Sequence, residues 1–296
     1  MSYVGRFAPS PTGPLHLGSI VTAIASFLHA RQAGGEWLVR IEDIDPPREL
    51  PGAAGDILRT LESFGLEWDR SVLYQSSRQD AYRDTVEQLL ANGHAFRCDC
   101  SRSTVRAAND ADSGRYPGTC RAKHLTAPDT AIRLRVAQSS AICFVDGLQG
   151  AQTARLDAIM GDYIVLRRDG LPAYHLAAVL DDTAQGVTTI VRGVDLLDST
   201  AAHVHLQTAL KARTPAYWHL PIVVNPLGQK LSKQTGAAAV SAGESRVAVR
   251  ALELLGLGVP RELMDAPPRS LWQWAVANWQ IESLRDRRAL TEPTSE

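Results

Sequence analysis

RFAPSPTGPLHLGS, residues 6–19, is the stretch where several conformationally costly residues fall together. Pro9, Pro11, Gly13 and Pro14 exclude both helix and central strand, so the chain must turn here as a stiff, extended loop. Before it, residues 4–7 read as the end of a buried strand. After it, His16-Leu17-Gly18-Ser19 opens a run with apolar residues at Ile20, Ile24, Phe27 and Leu28, which is the spacing of one helix face. Gly34-Gly35 stops that run. Strand, rigid loop and helix in this order set the loop at the carboxyl end of a parallel strand, with a helix N-terminus aimed at the ligand. Anions bind well at such a place.

The bulk properties bound what surrounds this loop. A chain of 296 residues, 45% apolar and 21% charged, can bury one large domain and a smaller one. The net charge is -1, so any contact with nucleic acid must come from a local patch. The N-terminus lacks a charged leader followed by an apolar stretch, and no apolar run approaches the ~18 residues of a membrane span. A cytoplasmic protein with no membrane contact is therefore expected, and a monomer is the expected state. In that compartment four cysteines, three of them clustered, suit a metal better than disulfides.

Working outward, residues 36–41 (EWLVRI) read as a second buried strand that ends on Glu42-Asp43-Ile44-Asp45. Acids just past a strand end are well placed to meet a ligand. Residues 53–64 and 77–91 read as crossover helices. At Cys98-Asp99-Cys100 the texture becomes polar and arginine-rich. With Cys120, these thiolates can converge on one tetrahedral zinc, the fourth ligand lying among Tyr116, His124, His94 and Cys143. Cys143 sits in an apolar context and reads as core. Arg102, Arg106, Arg115, Arg121 and Lys123 offer a basic knob to RNA.

Residues 132–136 and 141–145 read as short strands of an inserted antiparallel unit, and residues 162–166 as the return to the main sheet. Residues 186–191 read as a buried parallel strand that delivers Arg192, followed by a helix over 199–212 and a last strand over 217–224. The remainder reads as helical, with an acidic, polar tail. The expected fold is α/β, a doubly wound, Rossmann-like parallel sheet. Its halves are residues 1–97 and 161–224, with a zinc-bearing insert at 98–160 and a lysine-bearing loop plus short helical part at 225–296.

HLGS at 16–19 resembles the first signature of class I aminoacyl-tRNA synthetases, the His-Ile-Gly-His type, in the form of the glutamate branch. RIEDIDPPR at 40–48, DGLPAYHLAAVLDD at 169–182 and KLSKQ at 230–234 resemble further segments of that branch, the last being its Lys-Met-Ser-Lys-Ser signature. Ser19 replaces the second histidine, Leu231 a methionine, Gln234 the final serine, and Ala178 stands where full-length glutamyl enzymes often carry asparagine. The resemblance implies activation of L-glutamate by ATP with Mg²⁺. His16, Lys230 and Lys233 would be catalytic, and Gly18 and Ser19 would join them on ATP. Arg6, Phe7, Ala8, Pro9, Ser10, Glu42, Tyr174 and Arg192 would hold glutamate, with Glu42 on its ammonium. It also implies one Zn²⁺ per chain on Cys98, Cys100, Tyr116 and Cys120.

The chemistry is consistent with those residue types. Attack of a carboxylate on the α-phosphate accumulates negative charge, so preorganised cations and N–H donors are required and a side-chain nucleophile is not. Paired guanidinium forks from Arg6 and Arg192 suit a carboxylate side chain, whereas an amide would leave buried charge unmatched. The stretch after Lys233 is short beside the ~100 residues of a typical domain. The resemblance thus narrows to truncated paralogues of glutamyl-tRNA synthetase, in which glutamate goes to queuosine in the anticodon of tRNA(Asp). The competing expectations are a shortened enzyme charging a tRNA 3′ end, a nucleotidylyltransferase making a small-molecule adenylate, and a non-catalytic RNA-binding paralogue.

Overall fold

The computed structural model describes residues 2–108, 114–139, 141–231, 240 and 245–292. The chain enters on β1 (Val4–Phe7), every residue of it buried, and leaves the proline loop on α1 (Leu17–Gln32). It returns on β2 (Glu36–Ile41), parallel to β1 with Val4 opposite Glu36 and Phe7 opposite Val39. After α2 (Ala53–Ser63), β3 (Leu73–Tyr74) adds in parallel to the far side of β2. Then come α3 (Gln79–Ala91), β4 (Ala95–Cys98), α4 (Arg102–Ala107), β5 (Ala131–Leu134), the hairpin β6 (Ile142–Asp146) and β7 (Gly150–Ala154), α5 (Leu156–Ile159) and β8 (Tyr163–Leu166). The second half holds α6 (Tyr174–Ala184), β9 (Thr189–Gly193), α7 (Leu197–Ala209), β10 (Ala216–Leu220) and β11 (Ile222–Val224), and the chain finishes on α8 (Ser245–Leu254), α9 (Pro268–Asn278) and β12 (Ala289–Thr291).

The two halves join at the base of β1. Val4 N donates to Thr188 Oγ1 and Thr188 N to Val4 O, each at 2.9 Å, so the sheet β3-β2-β1 meets the sheet β9-β10-β6-β7 edge to edge, β1 beside β9. β9 pairs in parallel with β10, Ile190 opposite Tyr217 and Arg192 opposite His219. From β1 the chain crosses outward to β2, and from β9 it crosses the other way to β10. The gap between β1 and β9 is thus the switch point of a doubly wound sheet, whose carboxyl ends are where such folds bind ligands. Helix α1 is buried nearly all round, between this sheet and α8 and α9. Ile20, Ile24 and Leu28 share a core with Leu252, Trp272 and Ala275, which fixes the direction of its N-terminus. No described helix is long and apolar enough to cross a membrane.

Several expectations need correcting. Residues 217–224 form two strands, because Pro221 cannot donate to a ladder; β10 stays in the main sheet, while β11 pairs in parallel with β12 from the tail expected to be merely polar. The antiparallel unit is β4-β5-β8, so residues 163–166 close that unit and do not rejoin the main sheet, and it reaches beyond 98–160 at both ends. β6 instead extends the main sheet, in parallel with β10 at Asp146 and Tyr217. Cys143 is exposed, since the β6–β7 hairpin is an edge with alternate residues turned outward.

Candidate active site

A cleft of about 620 Å³ opens at the switch point. The ends of β1 and β9, the proline loop, the N-terminus of α1 and the turn after β11 all wall it, and that volume is ordinary for a small-molecule site. Arg6, Phe7, Ala8, Pro9, Ser10, Glu42, Tyr174 and Arg192 line one end, and His16, Gly18, Ser19 and Lys230 line the other. Lys233 lies outside the described residues, as does Gln234.

At the first end, charges are buried in pairs. Asp182 Oδ1 accepts from Arg6 Nε at 3.0 Å and from Arg40 Nη1 at 2.8 Å; Arg40 is wholly buried, and its Nη2 donates to Glu42 Oε1 at 3.3 Å. Burial alone would raise the Asp182 carboxyl, but Arg40 and then Arg6 outweigh it and hold it below the ordinary carboxylate range. For Glu42 burial wins over the same two arginines, and its carboxyl sits above its usual value. A cation arriving in the cleft would favour the ionised form of Glu42.

Arg192 has partners all around its guanidinium. Nε donates to His219 Nε2 at 3.0 Å, Nη2 to Thr200 Oγ1 at 2.8 Å and Leu196 O at 3.2 Å, and Nη1 to Tyr174 OH at 3.3 Å. Its carbon lies 5.4 Å from the centroid of the Tyr217 ring, within cation–π range. Burial raises the Tyr174 phenol, so it stays protonated as a donor. His175, pushed down to about 4 by burial and then by Arg192, and His203, pushed well down by the same causes, are neutral at pH 7.

At the other end His16 caps α1. Its Nδ1 accepts from Ser19 N at 3.2 Å, and Nε2 lies 3.1 Å from Ser19 Oγ, so the serine in place of a second histidine holds the first one still. A Cβ on Gly18 would lie 3.2 Å from two atoms of the His16 ring and 3.8 Å from Leu231 O. Glycine therefore lets the helix N-terminus and the lysine-bearing turn approach each other. That turn is held by Leu231 N donating to Val223 O at 2.8 Å, and Lys230 Nζ donates to Asp195 Oδ2 at 2.6 Å.

Away from the cleft, the sulfurs of Cys98, Cys100 and Cys120 lie within 4.8 Å of one another. Tyr116 OH accepts from Cys98 Sγ at 3.4 Å and from Cys120 N at 2.8 Å. Of the four candidates for a fourth ligand, the structure brings Tyr116 to the thiols. Burial, then hydrogen bonding with Cys120, pushes the Cys100 thiol up to about 11, and burial raises the Tyr116 phenol further still. A bound dication is the charge that would ionise both.

The sequence reading missed Arg40, Asp182, Asp181, Asp195, Asp146 and His219. Asp181 accepts from Gln75 Nε2 at 2.8 Å and Tyr82 OH at 2.6 Å, tying α6 to α3, while its neighbour Asp182 lies behind the cleft and accepts from Arg6, which lines it. A signal existed for Arg40: it is a charge inside the apolar strand EWLVRI, and a charge buried in a strand needs a partner.

Residues 3–255 match the family model described as tRNA synthetases class I (E and Q), catalytic domain. The glutamate tRNA ligase of Elizabethkingia meningosepticum, solved in complex with its amino acid, aligns with 99% of this chain and 68% of its own at a TM-score of 0.80 and 25% identity. Nearer in sequence are proteins named glutamyl-Q tRNA(Asp) synthetase. That of Aromatoleum aromaticum is 52% identical over 94% of this chain and 89% of its own length, and that of Pseudomonas aeruginosa PAO1 is 48% identical over 99% and 98%. The chain belongs to this family of glutamyl-Q tRNA(Asp) synthetases.

Proposed function

We propose that this chain activates L-glutamate with ATP and passes the glutamyl group to queuosine in the anticodon of tRNA(Asp), acting as a cytoplasmic monomer. The observation that carries the reading is the shared cleft: His16, Gly18 and Lys230 wall one end of a cavity whose other end presents Arg6, Glu42 and Arg192. In the first step the α-carboxylate of glutamate attacks the α-phosphorus of ATP and pyrophosphate leaves. The helix N-terminus at Gly18 and Ser19, with His16, Lys230 and, through the resemblance, Lys233, would hold the charge that develops there. Arg6, Arg192 and Tyr174 would take the side-chain carboxylate, Glu42 the ammonium, and residues 7–10 the substrate backbone. In the second step queuosine displaces AMP from the glutamyl-adenylate.

Asp195, which lines the cleft and accepts from Lys230, would offer a carboxylate oxygen to a magnesium ion bound to the triphosphate. Zinc fits the donor set of Cys98, Cys100, Cys120 and Tyr116, three sulfurs and a phenol oxygen drawn together in a buried cluster. There it would staple the polar segment that follows β4. Metal analysis of protein prepared without chelator should give one zinc per chain, and Cys120→Ser should lose it.

The deciding experiment is transfer of radiolabelled glutamate to tRNA(Asp) with and without queuosine. A queuosine-dependent acceptor that persists when the 3′-terminal adenosine lacks both ribose hydroxyls is expected, whereas charging lost with those hydroxyls would mean a 3′ end. Absence of glutamate-dependent exchange of pyrophosphate into ATP, with and without tRNA, would leave a binding protein.

A further inference from the structure

His219 on β10 and Asp146 at the end of β6 are wholly buried side chains, and neither lines the cleft. Their hydrogen bonds nevertheless end on a residue that does. Arg192 Nε can only donate, so His219 Nε2, 3.0 Å away, must accept. A neutral imidazole has one proton, which is then on Nδ1, where Asp146 Oδ2 lies 2.6 Å away. The other carboxylate oxygen is held by three amides, those of Leu148 at 3.0 Å, Gln149 at 2.9 Å and His219 itself at 3.2 Å, so the acid cannot swing away. Thr200 Oγ1, 3.1 Å from His219 Nε2 and 2.8 Å from Arg192 Nη2, closes the array.

We infer that Asp146 and His219 are positioning residues for recognition of the acidic substrate. The carboxylate fixes the imidazole tautomer, and the acceptor nitrogen this leaves holds the Arg192 guanidinium in place, with Nη1 against Tyr174 OH in the lining of the cleft. This rests on the reading of Arg192 as a glutamate contact. A relay of this kind has a reason to keep a buried carboxylate and imidazole where apolar residues would fill the same space. A protonated imidazole, or the tautomer with its proton on Nε2, would instead set an N–H against the N–H of Arg192 Nε.

The test uses the full chain in glutamate-dependent pyrophosphate exchange, with Asp146→Asn, His219→Gln, His219→Ala and Arg192→Gln. Asparagine retains an oxygen for the three amides but turns its NH₂ toward the ring, which moves the proton to Nε2. KM for glutamate should then rise about 10-fold or more, with KM for ATP unchanged, because a buried donor has lost its acceptor. His219→Gln, whose amide oxygen can accept from Arg192, should keep more of the affinity than His219→Ala. Arg192→Gln should raise KM for glutamate at least as far. If it does not, the reading of Arg192 fails; if it does while Asp146→Asn and His219→Ala bind glutamate normally, the relay alone fails. Nitrogen NMR of the unmutated protein decides independently of how any variant folds. A proton on His219 Nδ1 is expected, and one on Nε2 would overturn the relay.

Discussion

At one end of the cleft Arg6 and Glu42 are held by Arg40 and Asp182 buried behind them, on strands and a helix far apart in the chain, whereas Lys230 at the other end is 45% exposed on a turn. Buried pairs fix direction and resist reorganisation, which suits recognition of a small amino acid with three charged groups. An exposed cation on a turn can meet a long polyphosphate as it arrives. The same cavity thus separates a selective end, whose geometry is part of the fold, from an end whose charges sit at the surface. Substitutions should therefore damage stability at the first and chemistry at the second.

The sharpest test of that division is Asp182→Ala. It leaves Arg6 and Arg40 buried without their shared partner and should cost about 3–5 kcal/mol in urea unfolding, with glutamate activation lost alongside; unchanged stability would break the comparison. Lys230→Ala should slow pyrophosphate exchange about 100-fold while unfolding stays within about 0.5 kcal/mol of the unmutated protein. Gly18→Ala probes the seam between the signatures. Alanine is the better helix former by about 1 kcal/mol, so the unfolding midpoint should hold or rise. Activation should fall about 10-fold as the new Cβ presses on the His16 ring.

The smallest effect is a pH dependence. His175 has a folded pKa pushed down to about 4 from an ordinary 6.5, so its contribution is complete above 6.5 and is lost as pH falls toward 4. Between pH 7 and pH 6 this costs about 0.7 kcal/mol by linkage, and replacing His175 with Asn should lessen the pH slope of unfolding by that amount, leaving the share of His203. Asp182, with its carboxyl depressed, contributes stability present above the ordinary carboxylate pKa and lost as pH falls through its lower folded value.

What could be read in advance follows the same division. Proline, glycine and the residues next to them constrain the backbone locally, so the loop at 6–19, helix α1 and the strands ending on Glu42 and Arg192 were visible from spacing alone. Cys98, Cys100, Tyr116 and Cys120 were read with the help of the family resemblance. The polar pairs were hidden because Arg40 and Asp182 are 142 positions apart, and Asp146 and His219 are 73. Nothing local in WHLP marks the histidine as a partner of an acid on another strand. Cys143 was misjudged for the opposite reason: Phe144 and Val145 look like core, yet Val145 is 75% exposed on an edge hairpin. Composition does not tell an edge from a centre.

Pro221 detaches β11 from the main sheet, and β12 then holds it from outside, Ile222 opposite Ala289 and Val224 opposite Thr291. The ribbon that leads to Lys230 is therefore latched by the last described strand, which itself lines no part of the cleft. A protease nick between Asn278 and Ala289 would spare every group expected to touch substrate yet unlatch the wall that carries Lys230, disarming the enzyme at a distance.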